Sequence, residues 1–317
     1  MEQGNIITID IGASKIRFFS VNEKKEMTEY SDTSTVNLVG RELKNQELIN
    51  LLADNIHRSL HNLKKEGKEA LAISIGSPGS LDSKKGVILT PPNLRGIRNL
   101  AIVDELKKIF DLPVFLLNDA DASLLGERWL REHRKLKNLI YLTLSTGVGS
   151  GILKNGELLG EKIELGHQPL AVENEQRLCS CEELNHAEAY LGTKGLAETY
   201  SKIFEVKESD LKPEEWHSIS PKMRKGVVND DAKWLAVQET YAKYLAIFLK
   251  NTFINFRPEL IILGGGIVFG NKPLLAKTKE ELKKLMADEA VNIELAESGH
   301  NVNLGAAKYA FDLLNSR

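Results

Sequence analysis

The sequence predicts an α/β protein in which one structural plan occurs twice along the chain. Short β-branched apolar runs end abruptly in glycine or acidic residues, as buried strands do, at Asn5–Asp10, Ala70–Gly76 and Pro113–Asp119. Segments with apolar residues at helical spacing separate these runs, which is the alternation of an α/β fold. A strand, a turn of small residues and a second strand occur at Ile6–Phe19 and again at Leu139–Leu153. We therefore expect a duplicated fold with a cleft between its halves, and a boundary near residue 117.

The remaining elements follow from the same periodicities. Helices are predicted, in chain order, over Gln46–Lys65, Leu100–Phe110, Ala120–Leu136, Ala232–Phe256, Lys277–Met286 and Leu304–Leu314. Leu139–Leu144 and Glu259–Leu263 have the character of buried strands, and a glycine-rich turn follows each. The polar stretch 207–231 is predicted as a helical insertion or a loop. The result is a small N-terminal α/β domain, residues 1–117 with a closing helix at about 304–317, and a larger C-terminal α/β domain, residues 118–303.

The composition is that of an ordinary soluble globular protein. The chain has 317 residues, of which 42% are hydrophobic and 27% charged, and its formal net charge is −2. This balance lacks the basic footprint of a nucleic-acid binder, so no nucleic-acid partner is expected. Apolar runs such as Leu139–Leu144 are far shorter than the ~20 residues that span a bilayer, and Met1–Asn5 carries no basic segment before an apolar one. We expect no membrane association, no signal peptide and a cytoplasmic location.

Three glycine-rich turns could handle phosphate. Neither a Walker A nor a G-x-G-x-x-G pattern occurs, which argues against a P-loop or a dinucleotide fold. Asp10–Arg17 combines a strand-terminal carboxylate with a tight turn, which can hold Mg²⁺ and direct N–H groups to phosphate, although a plain hairpin turn has the same features. Ser145–Gly151 offers a second such turn, and Gly264–Gly266 lets a ligand approach the backbone closely. Together the three turns predict a nucleotide enclosed from two sides.

Asp119 stands at the end of a predicted strand and before a predicted helix. As an N-cap it would accept hydrogen bonds from the N–H groups of the first helical turn. As a general base it would lie at the carboxyl end of a strand, where α/β folds bind their ligands. Both interpretations are open from the residues around Asp119 alone.

A series of motifs resembles, in its order, the ROK (repressor, open reading frame, kinase) family of sugar kinases. The motifs cover nearly the whole chain and are Asp10–Arg17, Gly76–Asp82, Pro92–Leu94, Asn118–Ala122, Ser145–Gly151, Glu164–His167 and the Cys179-x-Cys181 pair. The resemblance implies the duplicated ribonuclease-H-like α/β fold of hexokinases and actin, with two domains flanking a cleft. That fold agrees with the internal repeat.

The resemblance implies a role for each matching position. Asp119 would be the general base that takes the proton from a sugar hydroxyl. The implied sugar contacts are Ser77, Gly79, Asn93, Asn118, Asp119, Glu164, His167 and Glu188. The implied nucleotide contacts are Asp10, which would organise Mg²⁺, then Gly12, Ala13, Ser14, Lys15, Thr146, Gly147, Val148 and Gly149 around the phosphates, and Gly264, Gly265 and Gly266 beside the adenosine. ATP with Mg²⁺ would then be the phosphoryl donor.

The cysteines suggest a second kind of site. Cys179 and Cys181 are the two cysteines of the chain and stand too close together for an unstrained disulfide. Alone, they would fit two small buried thiols. The family shows a C-x-C-G-x-x-G-C motif here after a histidine, so the resemblance implies a structural Zn²⁺ on His167, Cys179, Cys181 and His186. That ion would fix the loop that carries Glu188 and would orient His167.

The chain departs from the family pattern near both sites. Glu182 and Asn185 replace the two glycines of the cysteine motif, and the loss of glycine can change the loop. Ile97 and Ile163 replace a common tryptophan and a small residue close to the expected sugar pocket. The identity of the sugar is therefore open.

The resulting hypothesis is an ATP-dependent kinase acting on a glucose-like hexose at its 6-hydroxyl. Within the same family, an N-acetylmannosamine or N-acetylglucosamine kinase and a fructokinase are the alternatives. A sugar-responsive repressor would carry a helix-turn-helix before a hairpin that here begins by residue 6, so that class is not expected. A non-catalytic sugar sensor or scaffold is disfavoured because Asp10 and Asp119 are both present. The family also implies a homodimer.

Overall fold

The chain divides into two units, and each is described on its own. In the computed structural model, unit 1 comprises Met1–Lys135 and His300–Arg317, and unit 2 comprises Leu136–Gly299. The structure describes residues 4–12, 15–34, 44–91, 94, 96–160, 163–173, 175–207, 210–286 and 289–316. Among these residues, none of the helices combines the length and the apolar character that crossing a membrane requires.

Strands and helices alternate along both units. Over the described residues, the elements in chain order are β1 (Asn5–Ile11), β2 (Lys15–Asn22), β3 (Met27–Ser34), α1 (Asn45–Lys65), β4 (Ala70–Ser77), β5 (Ser80–Asp82), β6 (Val87–Thr90), α2 (Ile102–Lys107), β7 (Val114–Asn118), α3 (Asp119–Leu130), β8 (Leu139–Leu144), β9 (Val148–Lys154), β10 (Glu157–Leu158), α4 (Ala187–Leu191), α5 (Thr193–Phe204), α6 (Pro213–Trp216), α7 (Ile219–Val228), α8 (Ala232–Phe256), β11 (Leu260–Gly264), α9 (Lys272–Leu285), β12 (Ile293–Leu295) and α10 (Asn301–Asn315). Two 3-10 turns, Glu132–Arg134 and Leu165–His167, complete the set among these residues.

The sheets of the two units share one topology. Over the described residues, the strand order is β3-β2-β1-β4-β7 in unit 1 and β10-β9-β8-β11-β12 in unit 2. In each sheet an antiparallel hairpin, β1–β2 or β8–β9, is extended on one side by parallel strands. The apolar residues of β1 are buried on both faces, as expected for a strand covered by helices on each side. The duplicated α/β plan predicted from the two hairpins is confirmed.

The contacts of α3 assign it to unit 1, so the unit boundary lies after Lys135, whereas the sequence analysis expected it near residue 117. Small residues bring α3 close to α10: a methyl group on Gly126 would overlap the backbone of Asn301, and one on Gly305 would overlap the backbone of Ala122. The second boundary lies at His300 instead of residue 304, because α10 begins one turn earlier than its apolar stripe. Asp119 is thus a residue of unit 1.

Predicted elements occur where expected, some with shifted ends. Ala232–Phe256 and Leu139–Leu144 have the predicted bounds. The predicted helix Leu100–Phe110 is shorter, and the one predicted to reach Leu136 ends at Leu130 because Arg131 leaves helical geometry (φ −99°, ψ 20°). The stretch 207–231 contains the short helices α6 and α7.

Candidate functional site

Predicted site residues of unit 1 lie at one edge of its sheet. β1, β4 and β7 are parallel, and their registers pair Asp10 with Gly76 and Ser77 with Asn118. Asp10, Ser77 and Asn118 therefore stand at the carboxyl ends of neighbouring strands, and Asp119 follows directly. Ser77 is fully buried. In open α/β sheets this is the edge at which ligands bind.

The N-cap of α3 is Asn118, so the cap interpretation of Asp119 is wrong. Asn118 Oδ1 accepts the N–H groups of Ala120 at 2.9 Å and Asp121 at 3.4 Å. Asparagine is among the preferred N-cap residues, so the sequence carried this signal. The Asp119 carboxylate is half-buried and also accepts the Ala120 N–H, at 2.9 Å. Because Asn118 supplies the cap, α3 retains it whatever residue stands at position 119.

Asp10 is a largely buried acid at the end of β1, with 13% of its side chain exposed. Burial raises the pKa of Asp10 to about 6, and the Arg17 guanidinium, 3.3 Å from the carboxylate, offsets only part of this rise. Arg17 stands opposite Asp10 in the antiparallel register of the hairpin. An added divalent cation would favour the ionised carboxylate, so the chemistry of Asp10 fits the role of a Mg²⁺ partner.

The turn between β1 and β2 uses one of its predicted phosphate donors internally. The Gly12 N–H donates to the carbonyl of Lys15 at 2.9 Å, so this amide closes the turn. The Lys15 ammonium pairs with the carboxylate of Asp32 on β3, and both side chains are exposed. Gly79, a predicted sugar contact, has a φ of +83°, which favours glycine. Three further predicted residues, Ala13, Ser14 and Asn93, lie outside the described part of the chain.

The second glycine turn, between β8 and β9, is occupied by a carboxylate. The Val148 N–H donates to Glu188 Oε2 at 3.0 Å, and a methyl group on Gly147 would overlap the same carboxylate. Gly149 lies within β9, and the carbonyl of Thr146 accepts a hydrogen bond from the first residue of α5. The amide of Val148, which was predicted to face phosphate, therefore faces Glu188 in this structure.

The three glycines Gly264–Gly266, at the end of β11 and just after it, are glycine for different reasons. A methyl group on Gly264 would overlap the hydroxyl of Tyr141, and Gly265 has a φ of +89°. Gly266 is exposed, its φ is not positive, and a methyl group there would have Ser145 Oγ as its nearest contact, 3.9 Å away. Packing and backbone geometry thus explain the first two glycines, whereas the open face at Gly266 fits the close approach of a ligand.

A cluster of sulfur and imidazole groups in unit 2 could hold a metal ion. One donor atom from each of His167, Cys179, Cys181 and His186 lies within 4.8 Å of all the others. Cys181 Sγ is 3.2 Å from His186 Nδ1, and His186 Nε2 is 3.1 Å from the carboxylate of Glu183. Two thiols and two imidazoles are the donors of tetrahedral zinc sites, so this set fits such an ion. Burial raises the pKa of the Cys179 thiol.

Residues 179–186, which carry three of the four donors, form the metal loop. At two of its positions the backbone keeps the geometry that glycine usually provides. Glu182 has a φ of +70° and Asn185 a φ of +62°. Asparagine tolerates this region, and here the Asn185 side chain accepts hydrogen bonds from the Tyr190 hydroxyl at 2.8 Å and the Arg177 N–H at 3.1 Å. Among the described residues, the Glu182 side chain makes no such hydrogen bond. Both positions thus have the left-handed backbone that glycine adopts readily, and the strain falls at Glu182.

We expect Glu182→Gly to stabilise the protein by about 1 kcal/mol, because a left-handed residue other than glycine costs ~1–2 kcal/mol. Urea unfolding with and without zinc measures this gain. The matched control is Glu173→Gly, at an exposed glutamate without a positive φ, which should be neutral or destabilising. Equal destabilisation by both substitutions would contradict the assignment of strain to Glu182.

Three predicted sugar contacts lie near one another beside the metal cluster. Glu164 directly precedes the 3-10 turn that ends at His167, and Glu188 is in the first turn of α4. Partial burial raises the pKa of Glu164, the nearby His167 opposes this shift, and the charge of Glu188 adds to it. His167 contributes to the metal cluster as well, with its ring 5.0 Å from that of His186. Unit 2 thus brings together Glu164, His167 and Glu188, and their role as sugar contacts stays a prediction.

A buried charge network supports the metal loop, and sequence reasoning missed it. The Arg177 guanidinium is 2.8 Å from the Glu175 carboxylate and packs over the rings of Tyr190 and Tyr244. Burial alone would raise the pKa of Glu175, but hydrogen bonds from Lys202, Tyr244 and Arg177 outweigh it and lower that pKa to about 2. Because Lys202 and Tyr244 are far from Glu175 in the sequence and share no motif with it, only the fold reveals the network.

Replacing Glu175 with glutamine should destabilise the protein by about 3 kcal/mol at pH 7. The folded-state pKa lies below the ordinary value of 4.5, so the stabilisation is complete above pH 4.5 and disappears as the pH falls towards 2. Urea unfolding of the wild type, Glu175→Gln and the exposed control Glu173→Gln tests this at about pH 7, where the stabilisation is complete, and at about pH 3, where roughly half of it should be lost. A difference that does not shrink at low pH would argue against the ion network.

The chain is similar over most of its length to the members of one protein family. A model of the ROK family matches residues 6–312. The chain is 28% identical over 291 residues to the xylose repressor of Caldicellulosiruptor bescii, which covers 89% of this chain and 70% of that protein. It is 29% identical over 295 residues to the glucokinase of Thermotoga maritima, covering 89% and 88%. It is 29% identical over 315 residues to the N-acetylmannosamine kinase of Haemophilus influenzae, covering 97% and 96%.

Solved structures share the fold. The ROK hexokinase of Thermus thermophilus superimposes with a TM-score of 0.77 at 24% identity, covering 99% of this chain and 100% of that one. The ROK family glucokinase of Streptomyces griseus, solved in complex with glucose and AMPPNP, gives a TM-score of 0.78 at 22% identity, covering 98% and 100%. With the family match across residues 6–312 and the repeated strand order of the two sheets, the chain belongs to the ROK family and has its duplicated ribonuclease-H-like, actin/hexokinase-like α/β fold.

Proposed function

We propose that this chain is an ATP-dependent hexose kinase that phosphorylates the 6-hydroxyl of a glucose-like sugar, with Asp119 as the general base. The observation that carries the proposal is the position of Asp119. It directly follows β7 at the carboxyl edge of the unit 1 sheet, on the same edge as Asp10, and Asn118 supplies the helix cap. Capping therefore does not require an acid at position 119, and this edge is where α/β enzymes hold their reacting groups.

The chemistry assigned to each residue is that of phosphoryl transfer. The Asp119 carboxylate accepts the proton of the sugar hydroxyl as its oxygen attacks the γ-phosphorus of ATP, and ADP leaves with the bridging oxygen. Asp10 holds the Mg²⁺ that accompanies the nucleotide, which when bound neutralises phosphate charge. The open face at Gly266 supports adenosine binding beside the Gly264–Gly266 turn. Glu164, His167 and Glu188 bind the sugar hydroxyls.

In the proposal, the metal of the cluster is a structural Zn²⁺ ion held by His167, Cys179, Cys181 and His186. The proximity of the four donor atoms and their soft or borderline character support this assignment. Glu183 accepts the second ring N–H of His186, as outer-shell carboxylates do in many zinc sites.

Glucose is the first candidate because the Thermotoga maritima relative is a glucokinase. The full-length match to the Haemophilus influenzae N-acetylmannosamine kinase favours that sugar as the alternative, and N-acetylglucosamine and fructose belong to the same test. The test is sugar-dependent ADP release from Mg-ATP with glucose, mannose, fructose, N-acetylglucosamine and N-acetylmannosamine. We expect turnover of glucose above the sugar-free rate. Turnover of an N-acetylated sugar alone would assign the alternative, and no turnover with any of the five would overturn the kinase.

A sugar-sensing regulator is the second candidate function, because the xylose repressor of Caldicellulosiruptor bescii is a relative at 28% identity. Isothermal calorimetry distinguishes it from a kinase: a sensor binds sugar without ADP release. Assembly as a homodimer stays a prediction of the family resemblance, which light scattering on the purified protein tests.

A further inference from the structure

Both oxygens of the Glu188 carboxylate are engaged. Oε2 accepts the Val148 N–H at 3.0 Å, and Oε1 accepts the Ser180 hydroxyl at 2.6 Å. Gly147 lies so close to Oε2 that a methyl group there would displace the carboxylate. Two hydrogen bonds on different oxygens fix the plane of a carboxylate, which otherwise turns easily about its terminal torsion. Glu188 is therefore held in one orientation between the glycine turn and the metal loop.

The glycine-turn side of this arrangement is rigid. The Thr193 N–H donates to the carbonyl of Ser145 at 2.9 Å and lies 3.3 Å from that of Thr146. Gly192, between α4 and α5, packs against the backbone of Thr146 and Glu188. The helix that carries Glu188 is thus fastened directly to the turn, so the Val148 contact is fixed by the backbone.

The metal-loop side depends on one hydroxyl. Ser180 stands between the two cysteines, and short backbone hydrogen bonds shape its loop: Cys179 N–H to Glu183 carbonyl at 2.9 Å and Glu182 N–H to Cys179 carbonyl at 3.0 Å. Cys179 Sγ is 3.8 Å from the same Glu188 oxygen, at the limit of a weak contact. The Ser180 hydroxyl is consequently the principal link from the cysteine pair to Glu188.

We propose that Ser180 is a positioning residue for Glu188, through which the metal loop sets the affinity for sugar. This inference rests on the proposed function in one respect, namely that Glu188 binds a hexose. A carboxylate has about four acceptor sites, of which Ser180 and Val148 use two, so the others can receive a pair of sugar hydroxyls at a fixed angle. Without the Ser180 hydroxyl, the Glu188 carboxylate keeps only the hydrogen bond from the Val148 N–H, and its remaining acceptor sites lose their fixed direction.

The test compares Ser180→Ala with Ser180→Thr, which retains the hydroxyl, and with Ser218→Ala. Ser218 is a matched control because its hydroxyl donates to the carbonyl of Glu215, 2.7 Å away in another part of unit 2. Calorimetry with glucose and no nucleotide measures sugar affinity, with N-acetylmannosamine as the probe if glucose gives no heat. Steady-state kinetics give kcat and both KM values, and metal analysis gives zinc per chain.

For Ser180→Ala we expect sugar affinity to fall about tenfold, the effect of one lost hydrogen bond to a charged group. Three quantities should stay within about twofold of wild type: the KM for ATP, kcat at saturating sugar and the zinc content. Free-energy changes below ~0.5 kcal/mol are ordinary for surface substitutions. Ser180→Thr should restore the affinity.

Unchanged sugar affinity in Ser180→Ala would overturn the inference while leaving the kinase standing. Loss of zinc, or an equal rise in both KM values without rescue by threonine, would overturn it by showing a general structural role. Sugar binding without turnover in the wild type would overturn the proposal of a kinase. In that case, the sugar affinities of the wild type, Ser180→Ala and Ser180→Thr, measured by calorimetry, would still test the inference about Ser180. A wild type that binds neither sugar would overturn both.

Discussion

Replacement of Asp119 with asparagine is expected to lower kcat by about 10²–10⁴-fold, the usual contribution of a general base. Asparagine has nearly the same shape but cannot accept the proton of the sugar hydroxyl at neutral pH. Its side-chain oxygen can still receive the Ala120 N–H, and Asn118 continues to cap α3, so the fold should be retained. Steady-state ADP release with glucose and Mg-ATP measures the loss.

The matched control is Asp111→Asn, because Asp111 is an exposed acid before the opposite end of β7. Its activity should equal that of the wild type. Calorimetric binding of glucose to Asp119→Asn should fall much less than kcat does, since the base acts in the transition state. A variant that retains more than about a tenth of the wild-type kcat would contradict the assignment, because a lost base costs at least ~10²-fold.

Removal of the metal site is the second large effect. Cys181→Ser should bind zinc far more weakly than the wild type. Loss of a residue that only hydrogen-bonds to a ligand typically lowers metal affinity ~10–100-fold, and loss of the ligand itself should cost more. A metal that binds only the folded state stabilises it, by about 4 kcal/mol when its concentration is ~1,000 times its Kd. We therefore expect a chelator to lower the unfolding temperature of the wild type and to leave that of Cys181→Ser nearly unchanged.

The histidine control for this experiment is His217→Ala, since His217 is an exposed residue of unit 2 outside the cluster. It should bind one equivalent of zinc and respond to the chelator as the wild type does. Wild-type protein that contains no zinc after purification with zinc present would refute the metal proposal. Equal zinc affinity in Cys181→Ser would refute the ligand set.

Local features of this fold could be predicted from the sequence, and features made by distant residues could not. The hairpin Ile6–Phe19 and its repeat at Leu139–Leu153 predict the duplication, because in each a strand, a turn of small residues and a second strand follow one another directly in the chain. Helix α8 has its predicted bounds because Asp231 caps its start and Arg257, with a φ of +47°, ends it. The start of α10 was predicted too late because Asn301 and Asn303 are polar, although both are buried and Asn303 bonds to Thr8 on β1.

The candidate site likewise has features that the sequence predicts and features that only the fold reveals. The cluster of His167 with the cysteine pair follows from motif spacing, and the structure brings its donor atoms together. The cap at Asn118 is predictable from residue preference, but the sequence analysis considers capping only for its neighbour Asp119. The use of the Val148 amide by Glu188 had no signal at all, because 40 residues separate the two and the contact depends on how α4 packs against the glycine turn.

Because α10 belongs to unit 1, the order in which the two units can fold during protein synthesis differs from their order in the sequence. Unit 2, Leu136–Gly299, is a continuous stretch, so all of its residues leave the ribosome before unit 1 has its last helix. Until α10 emerges, the apolar residues that it covers, Ile6, Phe19 and Ala72 among them, have no packing partner there. Domains generally fold as units during synthesis, so here the second unit in the sequence is the first that can finish, and the nascent first unit exposes this apolar surface until α10 emerges.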